Sequence, residues 1–311
     1  MNAARFHADP LRAPASIAEY LDRLRIALAG ADPALVQDAL FDAEDYLRSE
    51  MAANPGRTEA EVIAAVAGSY GAPDEVADIY RDTEVRVQTA LQAPKPKKPR
   101  TALGRFFGVA LEPRTYAAMF YMLLSMATGI FYFTWVVAGA SLSLGLSVLI
   151  IGIPFVILFF GSVRVLALVE GRLVEAMLGE RMPRRPLYAS SSPTLLGRIG
   201  EMFADPRTWA TMLYMLLMLP LGIAYFTLAV TLLSVALACI FAPLALLADA
   251  MGWLTFSSSI EVSGEPWQAP FVFLGGVLLL FATLHLARGI GRLHGQLAKF
   301  MLVRPASATA A

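Results

Sequence analysis

The chain has 311 residues, 57% of them hydrophobic, and a mean hydropathy of +0.58. Its zero net charge hides a split: residues 1–90 hold 16 acids and 8 bases, and the remainder holds 9 and 17. An acidic N-terminal third repels phosphates, so no nucleic-acid partner is expected, and a single cysteine, Cys239, excludes a disulfide or a cysteine-based metal site within the chain.

Residues 1–15 read as a tail, and residues 16–86 as a small acidic helical domain. Ser16 with Glu19 forms a capping-box pattern that opens SIAEYLDRLRIALAG, with Ile17, Tyr20, Leu21, Leu24 and Leu28 on one stripe. Asp32 is the next cap, with Pro33 in the first helical position of PALVQDALFDAEDYLRSEMA. NPG at 54–56 breaks the chain, Thr58 with Glu61 starts a third helix, and GAPDEVADIYRD starts a fourth. The acids on the polar faces fit plain solvation or a docking face for a basic partner. Residues 87–100 include QAPKPKKPR, a stiff, basic linker suited to an anionic leaflet. No leader peptide is expected, so the first apolar span should act as an uncleaved anchor.

The remainder repeats itself. TALGRFFGVALEPRTYAAMFYMLLSMATGIFYFT (101–134) aligns without gaps with TLLGRIGEMFADPRTWATMLYMLLMLPLGIAYFT (194–227), 18 of 34 positions being identical. The copies match again at their ends, where ALVEGRLVEAML (167–178) resembles ARGIGRLHGQL (287–297). Copy one covers 101–191 and copy two 192–303, followed by a tail at 304–311. Each copy reads as an amphipathic entry helix, a span, an outer turn, a second span and an exit helix.

No charge interrupts residues 115–163, 208–248 or 266–287. A spanning helix needs about 20 apolar residues, which gives spans near 116–138, 147–168, 209–234 and 268–288. Arginine and lysine cluster before the first run, between the first two and after the third, as cytoplasmic loops do. Both termini should therefore be cytoplasmic, the second run should bend at Pro243 after one crossing, and 249–267 should form an outer loop. The expected fold is all-α: a cytoplasmic helical domain plus a four-span bundle of two parallel repeats with juxtamembrane amphipathic helices.

Two residue sets stand out. Arg114 and Arg207, with Tyr116 and Trp209, repeat at the entrance of each copy, where they suit lipid headgroups, as interfacial anchors or as a specific anionic-lipid site. Tyr121, Ser125, Thr128 and Tyr132 share a helix face, and Tyr214 and Tyr225 repeat its tyrosines. A phenol facing hydrocarbon lacks a partner, so these faces should point inward, either bonding between helices or lining a pocket for a lipid or amphiphile. Catalytic residues, cofactors and metal ligands are not expected: His7 lies in the tail, and His285 and His294 are nine positions apart, on opposite helix faces. No acid falls within an expected span, which argues against proton-coupled transport.

EYLDRLRIALAGADPALVQDALFDAEDYL and GRTEAEVIAAVAGSYGAPDEVADIY resemble the HAAS-type signalling domain, a bacterial cytoplasmic helical module commonly joined to membrane segments. DPRTWATMLYMLLMLPLGIAYFTLAVTLLS and HLARGIGRLHGQLAKFML resemble the bacterial "putative sensor" membrane domain. The resemblance implies a non-enzymatic sensor in a bacterial plasma membrane, relaying a membrane or envelope signal to a cytoplasmic protein regulator through residues 16–86. The alternative is an accessory or lipid-handling subunit of a membrane transport complex. Membrane lipids are expected partners, and the pattern is compatible with a homo-oligomer.

Overall fold

The computed structural model describes residues 13–91, 101–146, 152–185, 200, 203–252 and 266–303. The basic linker at 92–100 and most of the expected outer loop, 253–265, lie outside the described residues. Among those described, helices and turns are the only regular structure. The chain divides into two compact units, one formed by residues 1–95, 181–191 and 303–311, the other by 96–180 and 192–302.

The first unit contains α1 (Ile17–Ala27), α2 (Pro33–Ala53), α3 (Glu59–Ala67) and α4 (Pro73–Leu91). Its caps follow the sequence. Ser16 Oγ accepts the Glu19 amide, Asp32 Oδ1 accepts the Ala34 amide, and Thr58 with Glu61 closes a reciprocal box. Glu19 departs from the expected pattern, since its carboxylate takes the Ala15 amide rather than that of Ser16. Tyr20, Leu24 and Leu28 from the α1 stripe are wholly buried with Ala39, Leu47 and Ile63. Burying each large apolar side chain contributes roughly 1.5–3 kcal/mol against chain entropy. Tyr20 donates to the Gly71 carbonyl at 2.8 Å, and Arg81 binds the Ala27 carbonyl, so both polar tips crossing this core are satisfied.

The second unit begins with α5 (Ala102–Phe107) and a 3-10 turn at Gly108–Leu111, then α6 (Pro113–Leu146), α7 (Gly152–Leu178), α8 (Pro206–Ala250) and, after another 3-10 turn, α9 (Ala269–Leu302). The last four are long and apolar enough to cross a membrane. Their cohesion rests on close backbone approach, since lipid removes most of the hydrophobic drive between helices. α6 and α8 share the most extensive interface. A Cβ on Gly129 of α6 would stand 2.4 Å from the Met218 carbonyl oxygen, and one on Gly222 of α8 would stand 2.3 Å from that of Ser125. Only glycine permits this crossing.

Helix lengths differ from expectation. The exit segments are not separate helices, because α7 and α9 run unbroken into them. α8 does not stop near residue 234: it has 45 residues and carries Pro220 and Pro243 inside. At 1.5 Å per residue it is about 67 Å long, over twice a bilayer's hydrocarbon thickness. Each proline removes one backbone bond, but apolar surroundings make any further loss of helix costlier. Packing supports the extension, for a Cβ on Gly276 of α9 would meet Cys239 Cβ at 2.8 Å and Ala236 O at 3.0 Å.

Candidate functional site: a buried tyrosine, glutamate and histidine cluster

α7 places Phe159, Val163, Glu170 and Val174 on one buried stripe. This is the inward face at helical spacing, so Glu170 is carried into the bundle with no exposed surface. α9 does the same for Leu284, Ala287, Gly291, His294 and Ala298. α6 supplies Tyr121 and Tyr132, and α8 supplies Tyr214 and Tyr225. All four long helices thus contribute to one polar cluster.

Glu170 Oε1 accepts from the Tyr121 hydroxyl at 2.5 Å and the Tyr214 hydroxyl at 3.0 Å. Its Oε2 accepts from Tyr132 at 3.0 Å. His294 Nε2 lies 2.7 Å from the Tyr121 hydroxyl and 3.0 Å from that of Tyr214. Its Nδ1 lies 3.4 Å from the hydroxyl of Tyr225. The Tyr121 and His294 ring centroids are 5.0 Å apart.

A proton count shows what this arrangement can do. Each hydroxyl has one proton to give. If Tyr121, Tyr132 and Tyr214 all donate to Glu170, its carboxylate is satisfied as an anion. The oxygens of Tyr121 and Tyr214 then accept from His294 Nε2–H, and Nδ1 is free to accept from Tyr225. If Tyr121 instead donates to Nε2, the carboxyl must bring its own proton. Both arrangements use the same heavy-atom positions, but the second holds one proton more and has the other imidazole tautomer, whose Nδ1–H faces Tyr225. The cluster can therefore take up or release one proton without repacking the helices. Burial of an ionised carboxylate costs several kcal/mol, and hydrogen bonds to a charged group each contribute about 1.5–3 kcal/mol. Three of them are enough to retain the group, but with little surplus.

The four tyrosines expected to face inward meet here. Ser125 and Thr128, on the same face, do not join: Ser125 donates to the Met122 carbonyl at 2.7 Å, and Thr128 to the Ser125 and Leu124 carbonyls at 3.4 and 3.5 Å. The expectation that no acid lies within a span is corrected by Glu170, two positions past the expected end of the second span. His285 and His294 do go separate ways, His285 Nε2 lying 3.0 Å from the Phe106 carbonyl oxygen. No group of three or more histidine, cysteine or acidic residues able to hold a metal occurs among the described residues.

The entrance residues form a second, repeated arrangement. Tyr116 donates to the Ala110 carbonyl at 2.8 Å and Trp209 to that of Phe203 at 2.9 Å, each reaching back six residues while its ring stays half exposed. Asp205 caps α8 through the Arg207 amide at 3.1 Å. Glu112 departs from this pattern, its carboxylate pairing with Arg288 at 2.7 Å. The Arg114 guanidinium lies against Gly179, whose φ of +78° closes the C-terminus of α7.

No curated protein and no solved structure matches the chain. Residues 121–302 match the "Putative sensor" family, a span that opens at Tyr121 and takes in the whole cluster. That match covers more than half of the chain, all four tyrosines, Glu170 and His294, and on this ground the chain belongs to the "Putative sensor" family.

Proposed function

We propose that the protein is a membrane sensor in a bacterial plasma membrane, with both termini cytoplasmic, and that it relays a membrane-associated or envelope signal to a cytoplasmic protein through its acidic four-helix unit. The bundle is built from two copies of one two-span module, and the tyrosine cluster at their meeting point registers their relative position. Family membership and four apolar helices support the sensor reading. The observation that carries the relay is one of connectivity. α7 holds Glu170 inside the cluster and ends at Leu178, and the chain continues into the four-helix unit from Arg181. A shift of α7 that changes the bonding of Glu170 would be felt eleven residues later in the other unit.

The HAAS-like reading of residues 16–86 supports a protein partner. The transport-subunit reading is also favoured by one observation, the buried carboxyl of Glu170, because ionisable groups inside spans often mark ion or substrate paths. Crosslinking in native membranes separates the two. The full chain is used as bait, with a chain lacking residues 1–86 as control. A soluble protein captured by the full chain alone supports signalling. A transporter captured equally by both replaces this reading with the accessory-subunit one.

A further inference from the structure

Sequence RMPRR, Arg181 to Arg185, lies against α2 and α4 within the four-helix unit. Its anchoring is by backbone as well as side chain. Asp38 Oδ1 accepts the amides of Arg184 at 2.7 Å and Arg185 at 2.9 Å. The Arg181 Nη2 lies between two carboxylates, 3.1 Å from Asp38 and 3.3 Å from Glu84. Arg185 pairs with Asp42 at 2.9 Å, and Gln37 donates to the Arg185 carbonyl at 3.1 Å. Met182 and Pro183 are buried between these polar contacts.

These are the features of short-peptide recognition. One carboxylate that is only 5% exposed reads two successive backbone amides, which fixes register without demanding a sequence. Paired carboxylates select a cation, and arginine keeps its charge where burial would neutralise a lysine. A buried methionine adds an apolar anchor. Proline restricts the backbone just before the two bonded amides, so less freedom is lost on docking.

We propose that this face is a binding site for a short arginine-rich, proline-containing peptide, filled in cis by Arg181–Arg185, and that the cytoplasmic partner offers a segment of the same chemistry. The partner clause rests on the relay reading; the site itself rests on the contacts above. A tethered segment competes at an effective concentration in the millimolar range, so the partner gains access when the cis segment is drawn out.

The test is a titration of the full chain in detergent with a labelled synthetic peptide, ERMPRR, followed by fluorescence anisotropy. Wild type is expected to bind weakly. The Arg181→Ala, Arg185→Ala chain should bind about tenfold tighter or more, because its cis competitor is weakened. Adding Asp38→Ala to that chain should return binding to the wild-type level or below. Arg185→Ala alone, a milder change, should give the same order with a smaller gain. A released chain that binds no tighter than wild type, or binding indifferent to Asp38→Ala, overturns the site. A failed partner capture in the crosslinking experiment removes the relay and leaves this titration untouched.

Discussion

Glu170 and His294 are bridged rather than bonded: the hydroxyls of Tyr121 and Tyr214 each lie within 3.0 Å of both Glu170 Oε1 and His294 Nε2. Shape and charge at this point can be separated by substitution. Glu170→Gln keeps an oxygen for Tyr121 and Tyr214, and its amide can donate to Tyr132. Glu170→Ala strips the acceptor from three hydroxyls, only one of which His294 Nε2 can take. Unmet buried donors cost about 1–3 kcal/mol each. Glu170→Ala is expected to lose about 2–4 kcal/mol and the glutamine variant about 1 kcal/mol or less, read as a drop in the thermal midpoint of the detergent-solubilised chain. Equal losses would mean the carboxylate charge itself is needed, and the neutral arrangement of the cluster would be discarded.

Tyr132 and Tyr225 align at an offset of 93 positions in two similar stretches of sequence but bond unequally. Tyr132 donates to a carboxylate at 3.0 Å, whereas Tyr225 lies 3.4 Å from an imidazole nitrogen. A bond of 3.0 Å to a buried carboxyl oxygen is stronger than one stretched to 3.4 Å, whichever way the carboxyl is protonated. Tyr132→Phe should cost about 2 kcal/mol and Tyr225→Phe under about 1 kcal/mol. The same midpoint measurement ranks them, and a reversed order would move the centre of the network from Glu170 to His294.

Gly129 and Gly222 are 93 positions apart, the offset of the duplicated stretch, as are Ser125 and Met218, the residues whose backbone they face. One crossing is therefore used reciprocally. Gly129→Ala or Gly222→Ala forces backbone apart from backbone, at a cost of about 1–3 kcal/mol. Once α6 and α8 have separated for one methyl, the second should cost less. The double variant should lose clearly less than the sum of the singles. A strictly additive pair would show two independent contacts instead of one shared crossing.

The sequence exposed what periodicity and punctuation encode. Ser16, Asp32 and Thr58 mark three helix starts because capping is local, and the charge-free runs mark four spans because lipid admits few charges. The inward direction of Tyr121, Tyr132, Tyr214 and Tyr225 was legible because a phenol needs a partner. Their partner was hidden by a boundary. The expected second span ends at 168, two positions before Glu170, whereas α7 runs on to Leu178. The signal was nonetheless present: Glu170 is seven residues from Val163 and four from Val174, in phase with the apolar stripe. His294 followed the same rule with Ala287, Gly291 and Ala298. The docking of Arg181–Arg185 on Asp38 could not be read, because a contact across 143 residues leaves no period in the chain.

Two carboxyls of the four-helix unit pull its acid response in opposite directions. Glu61 is held below the usual glutamate range by its bond to the Thr58 amide, then by the Thr58 hydroxyl. Its contribution to the start of α3 is present above the ordinary carboxylate range and is lost as pH falls through its lowered value. Asp38 is pushed up by burial, which outweighs the opposing amides of Arg184 and Arg185 and the Arg181 charge, while Asp42 adds to the rise. Its proton is bound more tightly folded than unfolded, so its contribution is fullest at low pH and is lost as pH rises through its raised value. Hydrogen exchange on the full chain, corrected for intrinsic rates, can follow α2 and α3 separately between acid and neutral pH. Glu61→Gln retains the cap's acceptor without a titration and should flatten the acid-side loss of protection in α3. Asp38→Asn keeps Oδ1 for the two amides, gives up the Arg181 pair, and should flatten the opposite trend in α2. If α2 in the wild type instead loses protection on acidification and Asp38→Asn abolishes that loss, the ion pair with Arg181 outweighs the burial of Asp38, and the sign assigned to this carboxyl is wrong.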